Sequence, residues 1–328
     1  MKKILVTGAT GFLGKYLISE LTSNGYNVVA LGRNEKIGKS LNDSNVEFVK
    51  CDLKDYEKLE KVISNVDGVI HAGALSTVWG KWDDFYSANV LGTENVVNAC
   101  KKHSVSKLVY VSSPSIYTER RDRFNIDEND YDENNELNYY IKSKILSEKI
   151  VEDANKQGLN TTIVRPRGLF GIGDTSLIPR ILRINKKFGV PLVNNGENII
   201  DITCVENVAY ALRLCLEKEI SNGKIYNITN GEPTKFKEIL ENFMNDIGME
   251  PKYLNLSQKA IYNVSAFIEN TYKKFNILKE PPLTKYTAIT LAYSQTLNIE
   301  KAIDELEYKP IMTLKEGIKK YAEDYRNK

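Results

Sequence analysis

Histidine and cysteine are scarce in this chain, and their scarcity excludes several kinds of site. The only histidines are His71 and His103, so a histidine-rich metal site is impossible and a Ser-His-Asp triad would have to use one of them. The cysteines are scattered without a CxxC pair, at Cys51, Cys100, Cys204 and Cys215. Because this spacing is typical of reduced thiols, we expect no metal, no disulfide bond and a cytoplasmic protein.

The chain also lacks a dominant charge and a long apolar run. Lysine and arginine total 45 against 43 aspartates and glutamates, so the charge favours neither nucleic acid nor an anionic membrane as a partner. No apolar run approaches the roughly 18 residues that a membrane span requires, and the apolar start at residues 4–6 is too short for a signal peptide. We therefore expect a protein with no transmembrane segment and a small-molecule substrate.

Short β-branched runs alternate with helix-like segments through the N-terminal half of the 328 residues. This alternation predicts an α/β fold, a doubly wound parallel sheet that binds ligands at the carboxyl ends of its strands. After Pro166 the pattern becomes mainly helical, although "GKIYNIT" (223–229) predicts one more strand of the first sheet. The predicted first domain is 1–166 plus roughly 199–229, and the smaller lobe is roughly 167–198 plus 230–328. The charge-dense stretch 119–136 predicts a solvated loop, and the alternative is a lid with a specific role.

The stretch "TGATGFLG" joins the first predicted strand to the first helix. Its glycines permit a tight turn and let the backbone approach a pyrophosphate at the helix N-terminus. The spacing is GxxGxxG, so the alternative is a glycine-rich turn without a ligand. The predicted dinucleotide contacts here are Gly8, Thr10, Gly11, Phe12, Leu13 and Gly14.

The end of the second strand indicates which dinucleotide binds. A carboxylate that would accept from the adenine ribose is missing, since Gly32 and then Arg33 stand there. A guanidinium can pair with a 2'-phosphate, which favours NADP over NAD. The alternative is that Arg33 is an exposed loop cation. Asp52 is expected either to accept from the adenine amino group or to cap the following helix.

"NYYIKSK", residues 138–144, places a tyrosine and a lysine one helical turn apart. Tyr140 and Lys144 share a face, whereas Tyr139 points elsewhere. A nearby ammonium is expected to lower the phenol pKa, so that Tyr140 can exchange a proton with a substrate oxygen. Ser113, at the end of the fifth strand, is expected to hold the same oxygen. The alternative is an ordinary solvated helix.

The motifs TGATGFLG, HAGA, NVLGTENV, VSSPSIY, YIKSK and RPRGLFGIGD occur in the order that is typical of the extended short-chain dehydrogenase/reductases. The chain resembles this family over about its first 230 residues, which implies a Rossmann fold. By this resemblance Ser113, Tyr140, Lys144 and Asn89 match the catalytic motif residues, and Lys144 also binds the nicotinamide ribose. Further cofactor contacts that the resemblance implies are Leu53, Ala72, Gly73, Ala74 and Pro166.

Within this family, three positions argue against sugar-nucleotide chemistry. Pro114 and Ser115 replace the acid pair of dehydratases, and Ile200 replaces the arginine that grips a nucleotide diphosphate. The remaining pattern is similar to the 3β-hydroxysteroid dehydrogenase branch, which includes sterol-carboxylate dehydrogenases and 2-alkyl-3-oxoalkanoate reductases. It implies a largely apolar substrate, with Arg167 as a candidate carboxylate partner or a salt-bridged structural residue, and Thr203 as a further candidate contact. The alternatives are a UDP-sugar epimerase with retained NAD and a redox-sensing NADP-binding protein.

An apolar stripe at helical spacing lies in the least similar part of the chain, at Ile261, Val264, Ile268, Tyr272 and Phe275. It is expected to pack on the second lobe, and the alternatives are a cover over an apolar substrate and a peripheral membrane contact. The resemblance also implies a homodimer in which helices at 81–102 and 138–154 pair across a four-helix interface.

Overall fold

A parallel sheet forms the centre of the structure, a computed structural model that describes residues 2–328. The strands are β1 (Lys3–Thr7), β2 (Asn27–Gly32), β3 (Val46–Lys50), β4 (Gly68–His71), β5 (Lys107–Val111), β6 (Arg123–Ile126), β7 (Thr161–Pro166), β8 (Leu169–Phe170), β9 (Val190–Val193), β10 (Ile199–Ile200), β11 (Thr203–Cys204), β12 (Lys224–Ile228), β13 (Thr234–Lys235), β14 (Tyr253–Leu256) and β15 (Gln295–Leu297). The central sheet has the order β12-β7-β5-β4-β1-β2-β3. Its adjacent strands pair in parallel.

Helices cover both faces of this sheet. They are α1 (Phe12–Ser23), α2 (Glu35–Lys39), α3 (Tyr56–Ile63), α4 (Trp82–Phe85), α5 (Gly92–Lys102), α6 (Tyr139–Lys156), α7 (Leu177–Lys187), α8 (Val205–Glu217), α9 (Phe236–Asp246), α10 (Gln258–Lys274), α11 (Lys285–Ala292), α12 (Glu300–Leu306) and α13 (Leu314–Arg326). Side chains alternate along β1, so that Ile4 and Val6 pack with α1, α8 and α12, while Leu5 packs with α3, α5 and α6. The predicted doubly wound α/β fold is confirmed.

The strand order reverses between β1 and β4, which are neighbours in the sheet. From β1 the chain proceeds outward through β2 and β3, and from β4 it proceeds the other way through β5, β7 and β12. Such a reversal opens a crevice at the carboxyl ends of the two strands, where open α/β sheets bind ligands. The segment 223–229 supplies β12 at the edge of the sheet, as its pattern predicts, whereas the domain boundaries stay a prediction.

The remaining elements pack beside the carboxyl edge of the sheet around a core from α7, α9 and α13. Small sheets join β8 with β11, β9 with β14, and β13, β10, β15 and β6 in that order. The prediction of a solvated loop at 119–136 is wrong for β6, because Arg123 and Ile126 are buried and β6 pairs with β15. Within residues 2–328 no helix combines the length and the apolarity needed to cross a bilayer.

Candidate active site

The glycine-rich turn packs closely against the end of β4. Gly8 has φ of +71°, and a Cβ there would lie 2.9 Å from the Ala72 carbonyl carbon, so only glycine fits without strain. At Gly14 an added Cβ would collide with the Gly8 carbonyl oxygen. The absence of a side chain there lets α1 lie against β1. Helix α1 begins after Gly11 without a side-chain cap. Its first N–H groups are therefore available to phosphate oxygens.

Other predicted cofactor residues surround this turn. A Cβ on Gly73 would lie 3.2 Å from both the Gly8 nitrogen and Leu53 Cδ1. Thr10 lies against the end of β2, since a Cβ on Gly32 would be 2.9 Å from the Thr10 hydroxyl oxygen. These contacts bring the ends of β1, β2 and β4 to one crevice, which is lined by glycines and by the free N–H groups at the start of α1.

Arg33 and Asp52 lie together at the outer end of this crevice. Their side chains are 72% and 42% exposed and approach to 3.8 Å. Asp52 accepts a hydrogen bond from the Lys54 N–H, while Asp55 caps α3 by accepting from Lys58. The expectation that Asp52 caps this helix is therefore wrong. Arg33 is an exposed cation at the end of β2, beside the Asp52 carboxylate.

Helix α6 brings Tyr140 and Lys144 to the carboxyl edge of β5. Asn138 starts the helix by accepting from the Ile141 N–H at 2.8 Å. Lys144 is 1% exposed, and its ammonium donates to the Tyr110 hydroxyl at 2.6 Å and to the Val111 carbonyl at 2.8 Å. The predicted pair is thus on one helical face, with the lysine anchored to β5.

Asn89 lies where the helix from α4 to α5 is interrupted by a π-helical segment, Tyr86–Leu91. Its amide donates to the Leu75 carbonyl and to the Ser143 hydroxyl and accepts from the Leu75 N–H. Because these contacts use its amide donors and its carbonyl, Asn89 acts here as a positioning residue. It ties the loop after β4 to α6, and π-segments of this kind occur frequently at functional sites.

The proposed substrate side contains Arg167, which directly follows β7 and is 7% exposed. Thr203 is fully buried and donates its hydroxyl to the Arg167 carbonyl. Because its hydroxyl proton is donated to the backbone, Thr203 could meet a substrate only as an acceptor, and this contact stays a prediction. Tyr286, on α11, raises the pKa of Tyr140 and opposes the lowering of the Arg167 pKa. This residue was missed, since it lies in the least family-like part of the chain.

The apolar stripe on α10 is divided between two environments. Ile261 is buried against α11, as predicted, whereas Val264 and Phe275 are 51% and 67% exposed. The segment after α10 reaches the loop after β4, because the Trp79 indole donates to the Ile277 carbonyl at 3.0 Å. The expectation that all five residues pack on the lobe is wrong. Helix α10 and its C-terminal segment instead extend from α11 to the loop after β4.

Comparison with known proteins identifies the family. Residues 5–258 match the model of the 3-beta hydroxysteroid dehydrogenase/isomerase family. The chain belongs to this family. It is 33% identical over 325 residues to a 2-alkyl-3-oxoalkanoate reductase of Stenotrophomonas maltophilia, covering 97% of this chain and 98% of that protein. It is 30% identical to a decarboxylating sterol-4-alpha-carboxylate 3-dehydrogenase of Mus musculus, covering 99% of this chain and 91% of that protein.

Among solved structures, the fold is similar to a UDP-glucose 4-epimerase of Thermotoga maritima solved with UDP-glucose. The TM-score is 0.78 at 22% identity, with 99% of each chain covered. A UDP-glucuronic acid 4-epimerase of Bacillus cereus in complex with NAD gives 0.77 at 21% identity, again over 99% of each chain. These likenesses support the Rossmann fold. The family and the named relatives establish an NAD(P)-dependent oxidoreductase that acts on alcohol or keto groups.

In this structure the pKa of the Tyr140 phenol is not lowered. Burial raises its pKa to about 12, a hydrogen bond with Ser113 partly offsets this, and Tyr286 adds to the increase. The predicted lowering by Lys144 is not found, because the ammonium is directed to Tyr110 and Val111. Tyr140 is therefore protonated in the free protein, while the Ser113 hydroxyl donates to the Ser115 hydroxyl at 3.0 Å and accepts from the Ser115 N–H.

A buried polar chain behind Lys144 was missed by the sequence analysis. The Tyr110 hydroxyl accepts from Lys144, and the His71 ring lies between the hydroxyls of Thr93 and Thr7, at 3.0 and 2.7 Å. Burial lowers the His71 pKa to about 3, so the ring is neutral and neither a metal ligand nor a triad base is indicated. A tyrosine in the otherwise aliphatic "KLVYVSS" is the signal that could have identified Tyr110.

The burial of Lys144 makes a prediction about stability against pH. Burial lowers the Lys144 pKa from 10.5 to about 7, although Glu148 opposes this. At a pH between these two pKa values, the folded chain binds fewer protons than the unfolded chain. The free energy of unfolding therefore rises with pH in this range, and this gain is lost as the pH falls through the folded pKa. Relative to Lys144→Met, the wild type should gain about 1.4 kcal/mol of unfolding free energy per pH unit in this window.

Urea denaturation at pH 7.5 and 9.5 measures this gain. The same change at the surface, Lys142→Met, is the control. If the difference in unfolding free energy between wild type and Lys144→Met were the same at both pH values, Lys144 would not be a buried lysine with a lowered pKa.

Proposed function

We propose that the protein is an NADP-dependent oxidoreductase that interconverts a secondary alcohol and a ketone on a largely apolar substrate, with Tyr140 as proton donor and acceptor. The observation that carries the proposal is the grouping of Tyr140, Ser113 and buried Lys144 at the carboxyl edge of β5. This edge adjoins the glycine-rich turn, so a dinucleotide bound there would lie within reach of the same substrate carbon.

In the direction of reduction, Tyr140 donates its phenolic proton to the ketone oxygen while the Ser113 hydroxyl holds that oxygen in place. Lys144, on the same helical face but directed to Tyr110 and Val111, would bind the nicotinamide ribose rather than the phenol. When bound, the dinucleotide supplies the hydride and, once oxidised, a positive charge that favours the phenolate. In the reverse direction the Tyr140 phenolate accepts the alcohol proton.

The apolar substrate is supported by the surroundings of Ile200. This side chain packs with Phe236 and Leu240 at the edge of an apolar cluster, and it cannot compensate the charge of a nucleotide diphosphate. The relatives named as an alkyl-oxoalkanoate reductase and a sterol-carboxylate dehydrogenase also carry names of lipid-like substrates. The second candidate, a UDP-sugar epimerase with retained NAD, is favoured only by the fold similarity to such enzymes.

A substrate panel tests the proposal. Purified protein is assayed with NADPH against long-chain 3-oxo acids and 3-ketosteroids, with UDP-sugars as the contrast set. We expect NADPH oxidation with members of the first two classes. Turnover confined to UDP-sugars, with NAD retained through purification, would establish the epimerase instead.

NADP preference rests on Arg33, and its removal should change the choice of dinucleotide. Arg33→Ser should lower the ratio of kcat/KM for NADPH to that for NADH by about tenfold or more, since a charge-assisted hydrogen bond contributes about 1.5–3 kcal/mol. Steady-state kinetics with both dinucleotides measures the ratio. Lys36→Ser, at an exposed site on α2, is the matched control. An unchanged ratio in Arg33→Ser would show that Arg33 is only a surface cation.

A homodimer through the two predicted helices is part of this proposal. Tyr86, Leu91 and Tyr139 are exposed large side chains on the helix from α4 to α5 and on α6, and these helices pack against each other. A four-helix contact between two copies would cover them. Sedimentation at micromolar concentration should give a dimer, and a monomer throughout would reject the interface.

A further inference from the structure

Arg167 is held rigidly at the end of β7 by contacts of its backbone. Its N–H donates to the Ile228 carbonyl at 3.0 Å, and its carbonyl accepts from the Thr203 hydroxyl. Two residues earlier in the same strand, Arg165 is paired with the Glu148 carboxylate by two hydrogen bonds. Arg165 lies within β7 and Arg167 directly follows it, but only Arg165 has a carboxylate partner.

The Arg167 guanidinium is buried without compensation. Its Nε is buried and has no hydrogen-bond partner, and within residues 2–328 no carboxylate lies within 4.0 Å of the group. Burial lowers the Arg167 pKa, and Tyr286 and Asp201 oppose this only in part. Asp201 is nearby but already accepts from the Leu297 N–H at 2.7 Å. The predicted alternative of a salt-bridged structural arginine is therefore wrong, and an unpaired buried charge of this kind is costly.

Arg167 follows β7 at the same edge of the sheet where Ser113 follows β5. Burial raises the Tyr286 pKa, and Arg167 opposes the increase, so the two side chains lie in one electrostatic environment. Charge on Tyr286 in turn raises the Tyr140 pKa. Because β5 and β7 are adjacent and parallel, a ligand that reaches the Ser113 hydroxyl also approaches the guanidinium.

We propose that Arg167 is an anion subsite that binds the carboxylate of a substrate whose oxygen is reduced or oxidised beside Tyr140. The inference rests on the proposed function and narrows its substrate class to hydroxy and oxo acids. The carboxylate supplies the acceptors that the guanidinium lacks in the protein. A planar guanidinium binds a carboxylate through two parallel hydrogen bonds, which fixes the orientation of the acid as well as its affinity.

The test compares an acid with its neutral ester in the direction of oxidation, where the substrates are chemically stable. The protein is assayed with NADP and a long-chain 3-hydroxyalkanoate or its methyl ester, and the reaction transfers a hydride to NADP and a proton to Tyr140. The variants are Arg167→Met, which keeps an apolar stem, Arg167→Lys, which keeps the charge, and Arg183→Met, the same change at an exposed arginine on α7.

The wild type should prefer the acid, and Arg167→Met should lower kcat/KM for the acid about 100-fold through KM, as expected for loss of a charge-assisted bond. The ester should change less than about threefold. Arg167→Lys should restore part of the preference, and Arg183→Met should behave as wild type. The ester assay also shows whether each variant is folded.

Two outcomes would overturn the subsite while leaving the proposed function intact. One is a wild type that oxidises ester and acid equally, and the other is an Arg167→Met variant that loses both activities in parallel while remaining folded. If the wild type turns over neither substrate but does act on UDP-sugars, the proposed function itself fails. If Arg167→Met does not fold, the wild-type comparison and Arg167→Lys still decide the question.

Discussion

Tyr140→Phe should lower kcat about 1000-fold, because the change removes the group that donates a proton to the reacting oxygen. The ring itself is retained, so the packing of α6 on the sheet is preserved. The dissociation constant for NADPH should change by less than about twofold, since Tyr140 is not expected to bind the phosphates or the adenine. Single-turnover kinetics and fluorescence titration with NADPH measure the two quantities.

Tyr139→Phe is the matched control for this variant. Tyr139 is 49% exposed, and its ring contacts Trp82 at a centroid distance of 5.7 Å, so loss of its hydroxyl should leave kcat unchanged. Equal activity of Tyr140→Phe and wild type would remove the phenol from the mechanism. If the wild type turned over no carbonyl at all, and Tyr140→Phe left partner binding unchanged, a redox-sensing role would be favoured.

Glu148→Gln should destabilise the fold by about 3–5 kcal/mol, because it leaves a buried arginine without its counter-charge. Arg165 is 0% exposed and donates to both carboxylate oxygens of Glu148, at 2.9 and 2.5 Å. It also donates to the Tyr117 hydroxyl at 2.6 Å. This network joins α6 to β7 one helical turn from Lys144. Loss of the ion pair should therefore also reduce activity.

The unfolding free energy of Glu148→Gln is measured by urea denaturation. Glu133→Gln, which removes an exposed carboxylate paired with Lys149 at 3.0 Å, is the control and should cost less than about 1 kcal/mol. If Glu148→Gln cost no more than this control, the buried ion pair would not be the structural tie between α6 and β7.

The parts of this fold that depend on local pattern could be predicted from the sequence. Strands such as "KILVT" are continuous apolar runs because both of their faces are buried, and this property is visible residue by residue. Glycine is required at Gly8 and Gly14 because any side chain there would collide with backbone atoms. Tyr140 and Lys144 lie four positions apart on α6, which fixes their common face.

The parts that depend on contacts between distant residues could not be predicted. Glu148 and Arg165 are ordinary charged residues in the sequence, and only the packing of α6 on β7 makes them a buried pair. In the same way, β6 lies in a charge-dense segment and is a strand only because β15 pairs with it.

The pKa of the Tyr140 phenol could not be predicted from the sequence either. Helical spacing correctly placed Lys144 near Tyr140, but spacing does not specify where an ammonium points. In the fold, the ammonium reaches β5, and burial rather than charge determines the Tyr140 pKa. The balance between burial and charge depends on the full environment of the group.

A crystal structure of the protein with bound NADP tests the central claim most directly. The account predicts the nicotinamide ring beside the Tyr140 hydroxyl and the adjoining ribose hydrogen-bonded to Lys144. A nicotinamide bound away from Tyr140, with Lys144 still engaged only by Tyr110 and Val111, would contradict it.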